Sequence, residues 1–262
     1  MVRKESDSRS IGLLRLKLPK LFLALFAGLN AISCWALKSD LSREQSGLTL
    51  GGGIYQHYLP NDNAFDPVPG LAPSGVTVTG SETLYIIPAR MGYFSDRKVG
   101  GYAIYGRYIA STGSSWTASG DLEGTGSTRF GSIGIGAEAT AFLLRGTRFR
   151  LGLTANSEYI LQKMTLSFTP TGGTASPFNV SAESVLIGLG LKPEMYLGDL
   201  WTLSIFSGYQ YGLSRTFEAS AAGSFFGISH AAGTLTSPTT SSAIPSQQGG
   251  FLFEAILKLH FM

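Results

Sequence analysis

The chain has 262 residues, only 14% of them charged, and 34 glycines, where soluble proteins carry roughly 25% charged residues; a fully water-facing surface would need more charge. The formal +3 belongs to the start of the chain. The first 36 residues hold six of the 20 basic and two of the 17 acidic residues, leaving 14 against 15, a net −1, so the remainder offers no basic excess for nucleic acid.

Arg3, Lys4, Arg9, Arg15, Lys17 and Lys20 precede an apolar stretch from Leu21 to Ile32, followed by Cys34-Trp35-Ala36 as a small-x-small cleavage site. This order predicts a secretory signal peptide over residues 1–36. The apolar stretch falls well short of the roughly 20 residues a membrane-spanning helix needs. Cys34, the sole cysteine, follows Ala31-Ile32-Ser33; the alternative reading makes it the lipidated residue of a lipoprotein signal, with Ala31 where Leu is preferred. Cleavage after Ala36 leaves no cysteine, hence no disulfide and no cysteine-based metal site. With no Pro-rich or charge-rich linker after residue 50, residues 37–262 read as one domain.

From Leu48 onward the apolar pattern has period two, which predicts strand after strand and no amphipathic helix. The expected strands cover 47–58, 82–94, 100–111, 129–143, 149–162, 183–197, 201–212 and 250–261. Their connections alternate in length: 95–99, 144–148 and 198–200 are tight, whereas 59–81, 112–128, 163–182 and 213–249 are long. Short turns at one end and long loops at the other characterise transmembrane barrels, and eight strands return the chain to its starting side. The expected fold is therefore all-β, a transmembrane antiparallel up-and-down β-barrel with eight strands. Pro88 and Pro193 fall inside strands, where the missing N–H predicts a bulge.

Charge decides which face meets which medium. In the fifth expected strand Phe149, Leu151, Leu153, Ala155 and Tyr159 share one face, with Arg150, Thr154, Asn156 and Glu158 on the other. Exposing Arg90, Arg107, Arg150, Lys192 and Lys258 to lipid could cost about 2 to 4 kcal/mol each near the midplane. The charged face is thus expected to line the lumen, where Glu138, Glu158, Glu194 and Glu254 nearly balance those five cations. Mutual pairing satisfies buried charges of both signs. A selectivity constriction would favour one sign. Glycines on that face (Gly134, Gly136, Gly152, Gly188, Gly190) are expected to make room for large neighbours. Tyr58, Tyr93, Tyr102, Tyr108, Tyr159, Trp201 and Tyr211, near strand ends on the outer face, suit an interfacial girdle; strand propensity alone also accounts for aromatics.

Gly134-Ile135-Gly136-Ala137-Glu138-Ala139 matches a dinucleotide fingerprint in letters only, because strand alternation continues where a helix must follow. The histidines are scattered at His57, His230 and His260, and no cluster of His, Asp and Glu suggests a metal. No cofactor is implied.

The last strand, from Gly250 to Met262, alternates Phe251, Phe253, Leu257, Leu259 and Phe261. It resembles the terminal strand of Gram-negative outer-membrane proteins, in which such alternation before a C-terminal aromatic is read by the barrel-assembly machinery; here Met262 takes the final position. With the strand count, residues 37–262 resemble the small barrels of the OmpA transmembrane domain, OmpX and OmpW. The resemblance implies location in the cell outer membrane, among its lipid and lipopolysaccharide. Some barrels of this size modify lipid A using His with Ser or an acid, which makes His57 a candidate worth testing. The leading expectation is a non-enzymatic barrel, its lumen plugged by paired charges, with a structural role or a surface-interaction role through long external loops. A narrow, porin-like channel for small or apolar solutes is the alternative, and a lipid A-modifying enzyme the third.

Overall fold

A computed structural model of the chain describes residues 45–57, 67–80, 85–97, 99–198, 200–213, 215–246 and 249–261. The expected export signal, Cys34, Tyr58 and Met262 lie outside them. The long strands are β1 (Gln45–His57), β2 (Pro88–Asp96), β3 (Gly100–Gly120), β4 (Gly124–Arg145), β5 (Phe149–Pro170), β6 (Ser176–Tyr196), β7 (Trp201–Leu213) and β8 (Gly249–His260). Each pairs antiparallel with the next, and β8 also pairs with β1. The hydrogen-bonded path therefore returns to its start as a ring of strands.

The tight connections stand where the sequence puts them. Arg97 N–H donates to Gly100 O at 2.7 Å, Gly146 N–H to Phe149 O at 2.7 Å and Leu197 N–H to Trp201 O at 2.9 Å. At the opposite end the structure departs from expectation. Residues 112–128 and 163–182, read as long loops, are mostly paired strand, because β3 runs on to Gly120, β4 starts at Gly124, β5 runs on to Pro170 and β6 starts at Ser176. Thr, Ser and aromatic residues alternate through these stretches, and such residues suit a half-buried strand. Along β3–β6 the wall is consequently tall, at 21 or 22 residues per strand, while the described parts of β7, β8, β1 and β2 cover 9 to 13.

The other two connections supply small elements that lean on the tall side. A single helical turn, α1 (Val68–Leu71), precedes the strand Val76–Gly80, which pairs with the far end of β3. Between β7 and β8, Glu218–Ala219 pairs with β6, and Gly223–Phe225 with Ile228–His230 as a hairpin.

Bulges shift the register between Ile109 and Thr112 and between Phe142 and Leu144. Beside Pro88 the strand breaks at Ile87, but the register with β1 is the same before it (Tyr55 with Ile86) as after it (Gly52 with Ala89), so the bulge expected there is absent. The bulge expected at Pro193 is absent. Pro193 pairs with Leu151 in the ordinary way, and toward β7 the register is the same before it (Leu191 with Ser207) as after it (Glu194 with Ser204). The missing N–H leaves two rungs unmade without inserting a residue.

Burial fixes the faces. In the part of the ring next to the tight turns, apolar side chains point outward, as with Ile104 (58% exposed), Ile135 (69%) and Leu189 (58%), while Glu158 (0%) and Lys192 (1%) point inward. Farther along the tall strands this arrangement inverts. On β5 the inner face reads Arg150, Thr154, Asn156, Glu158 and then Met164, Leu166, Phe168; the outer face reads Leu151, Leu153, Tyr159, Leu161 and then Lys163, Thr165, Ser167. β6 repeats it, with Phe178, Val180 and Ala182 buried and Asn179 and Glu183 exposed beyond the apolar outer run from Val185 to Leu191.

Candidate functional site

All nine charged residues expected inside the ring are buried there: Arg90, Arg107, Glu138, Arg150, Glu158, Lys192, Glu194, Glu254 and Lys258. They come from β2 to β6 and β8, and period-two alternation aims each inward. A tenth member, Asp96, joins them. Five cations and five anions then form one unbroken series of contacts. Arg107 pairs with Glu158 and reaches Glu254 at 3.4 Å; Glu254 meets Arg90 at 3.2 Å; Arg90 meets Glu138 at 3.0 Å. Glu138 pairs with Lys192, which lies 3.9 Å from Glu194; Glu194 pairs with Arg150 and with Lys258 at 2.6 Å; and Asp96 closes the far end on Arg150 and on Lys258 at 2.7 Å.

Aromatic faces hold the guanidiniums flat. Arg90 lies 3.7 Å from the Tyr105 ring centroid and Arg150 3.9 Å from that of Phe142, which adds quadrupole attraction to packing. Tyr105 Oη also donates to Glu158 at 3.4 Å. Space is made by glycine at the neighbouring positions: a Cβ on Gly136 would stand 2.5 Å from the Tyr105 ring, and one on Gly134 2.8 Å from a Glu158 oxygen.

Two layers close the ring on either side of the charges. Toward the tight turns, His260 is sandwiched between Phe94 and Tyr196 at centroid distances of 5.3 and 5.7 Å, its Nε2 2.7 Å from Thr202 Oγ1, while Tyr196 Oη donates to Gln45 at 2.5 Å. Toward the other end lies an apolar cluster. Trp116 stacks on Phe168 at 5.7 Å, Phe178 on Phe225 at 5.8 Å, and Phe226 packs 4.8 Å from Phe168, with Val68, Leu71, Phe217, Leu235 and Ile244 buried around them. Each such side chain contributes about 1.5 to 3 kcal/mol by leaving water. Phe226 and Gly227 form the two-residue turn of the hairpin with φ of 52° and 76°, the primed geometry hairpins favour. Left-handed backbone costs a bulky residue about 1 to 2 kcal/mol, which burial of the Phe226 ring offsets.

Asp96, Tyr105 and Phe142 were missed by sequence reasoning. Asp96 shares parity with Arg90 on β2, which was the available signal, but it falls within 95–99, read as a tight connection. Of the histidines, His57 pairs in register with Gly250 on the outer stretch of β1. His230 lies against Phe178 at 5.4 Å, where burial pushes its imidazole pKa down. His260 belongs to the aromatic closure. On β8, Phe251 and Phe261 are exposed and Phe253, Leu257 and Leu259 half-buried, all on the outer face. Among the described residues no group of three His, Cys, Asp or Glu is arranged to hold a metal, and no helix is long and apolar enough to cross a membrane, which says nothing of strands. Searches of protein-family models and of curated proteins found no match to this chain.

Proposed function

We propose that the chain is an eight-stranded transmembrane β-barrel of the outer membrane, closed along its axis by paired charges and by folded loops, with a structural or surface-interaction role and no catalytic step of its own. The inversion along β5 and β6 carries this reading. A strand whose outer face is apolar from Phe149 to Leu161 except at Ser157, and polar from Lys163 onward, passes from one medium to another. Spanning takes about 9 to 11 tilted residues, so a 22-residue strand extends well beyond the bilayer. Outward-facing Tyr93, Tyr102 and Trp201 near the tight turns, and Tyr108, Tyr159 and Tyr211 near the inversion, give that band two aromatic borders. The tight-turn end would face the periplasm, with the outer face of β8 as the assembly signal.

A ring of eight strands encloses an interior only about wide enough for side chains to fill. The charge series and the aromatic cluster occupy it at two levels. Planar-bilayer recording of the purified mature protein should therefore give no large, steady conductance; a stable open level would overturn the closed reading. One observation favours a narrow channel as the second reading. Ser184 Oγ and Gln210 Oε1, and within the charge series Glu254 Oε1, are buried without a hydrogen-bond partner, and such atoms suit water. Replacing Arg107 and Arg150 together by Ala should raise conductance if the charges seal a path for water.

A further inference from the structure

The outer wall of the ring carries an open groove of about 700 Å³ between β2 and β5, bordered by Tyr93, Ile104, Ile135 and Tyr159 and floored by Gly106, Ala137 and Ser157. Sheet packing does not impose it. A Cβ on Gly106 would approach nothing closer than two carbonyl oxygens at 3.9 Å, so a larger side chain would fit and fill the groove. Farther along the outer faces of β4 and β5, beyond Ile133 and Leu161, stand two exposed cations. Lys163 lies four residues beyond Tyr159 on β5, and Arg129 six beyond Ile135 on β4. Gly131 pairs with Lys163 and Arg129 with Thr165, which makes the two cations diagonal neighbours on one face, within reach of each other's ligands.

Neither cation forms an ion pair among the described residues. The nearest acid on that face, Glu183, is two residues from the partner of Lys163, and it acts on the Tyr159 hydroxyl together with Arg215. The rim therefore keeps a net positive charge at the loop-side end of the apolar wall that carries the slot.

We propose that this groove and its cationic rim bind the lipid A portion of lipopolysaccharide, an acyl chain lying along Gly106 and Ala137 and a sugar phosphate held by Arg129 and Lys163. The charge complementarity selects an amphiphile with an anionic head, and the place of Arg129 and Lys163 at the inversion selects the loop side of the membrane. The inference rests on the barrel reading, which sets that side as the outer leaflet. Guanidinium-to-phosphate contacts are among the strong charge-assisted hydrogen bonds, and Lys adds a point charge.

The test uses the mature protein refolded in detergent micelles, with folding followed by heat-modifiable mobility and lipid retention by native mass spectrometry. Bisphosphorylated lipid A should bind at least tenfold more tightly than dephosphorylated lipid A or phosphatidylglycerol. Arg129→Gln with Lys163→Gln should lose about tenfold, and Gly106→Leu should lose a comparable factor by filling the slot, both with folding intact. Folded variants that retain lipid A as the unmodified protein does would overturn the proposal, as would equal retention of phosphatidylglycerol. A lipid-free dimer dispersed by Gly106→Leu would give the groove to a second copy and overturn it too. A chain that never acquires heat-modifiable mobility would sink the barrel reading itself, whereas a folded barrel without lipid A sinks this inference alone.

Discussion

Glu194 contacts three cations, Arg150, Lys192 and Lys258, and accepts from Ser204 Oγ at 2.9 Å. Removing it leaves positive charge without compensation in a space that holds no bulk water, and breaking such a buried pair costs about 3 to 5 kcal/mol. Glu194→Ala should therefore lower stability by that order, read from urea unfolding in lipid vesicles. Glu183→Ala, on the exposed outer rim, should change it by less than about 1 kcal/mol. Similar losses for the two would contradict the closed, balanced series. Pairing is also why the interior tolerates so much charge. Five cations met by five anions neutralise one another locally, and Tyr105 and Phe142 cover guanidinium faces that make no ion pair.

At the scale of the element, β5 is two half-strands in one. Its outer face is apolar to Leu161 except at Ser157 and polar beyond, its inner face mostly the reverse, and nothing in the backbone marks the change, since pairing with β4 and β6 continues through it. On the proposed reading the surrounding medium supplies the asymmetry. Leu153→Arg places a cation within the apolar band and should cost about 2 to 4 kcal/mol. Ser167→Arg, on the same face of the same strand but above the inversion, should cost close to nothing. The measurement is the fraction reaching heat-modifiable mobility after refolding, and equal yields would refute a membrane boundary between the two positions.

For the whole molecule the loop end matters most. Beyond the inversion β3–β6 offer an apolar inner surface, and among the described residues the connections around α1 and between β7 and β8 fold in to cover it. That end carries a packed cap. Its outermost turns should face the cell exterior. A cysteine at Ser119 or Thr171 should react with an impermeant maleimide on intact cells, and one at Thr147, in the tight turn between β4 and β5, should react only after lysis. Labelling at Thr147 alone would reverse the orientation.

The sequence by itself determined the antiparallel β class, the three tight turns and the inward face of every predicted charge. A period of two leaves no freedom once Arg150 or Lys192 cannot face outward without a large cost. It could not determine where strands end beyond the inversion, because Trp116, Phe168 and Phe178 read as loop residues until a partner for their rings is known. Those partners, Phe225 and Phe226, lie about 50 to 110 residues away along the chain. Asp96 and Tyr105 likewise entered the charge series only through tertiary contact, since each meets its partners across the interior and not along its own strand. Local alternation sets a side chain's direction; what it meets there depends on the closed ring and the loops that fold over it.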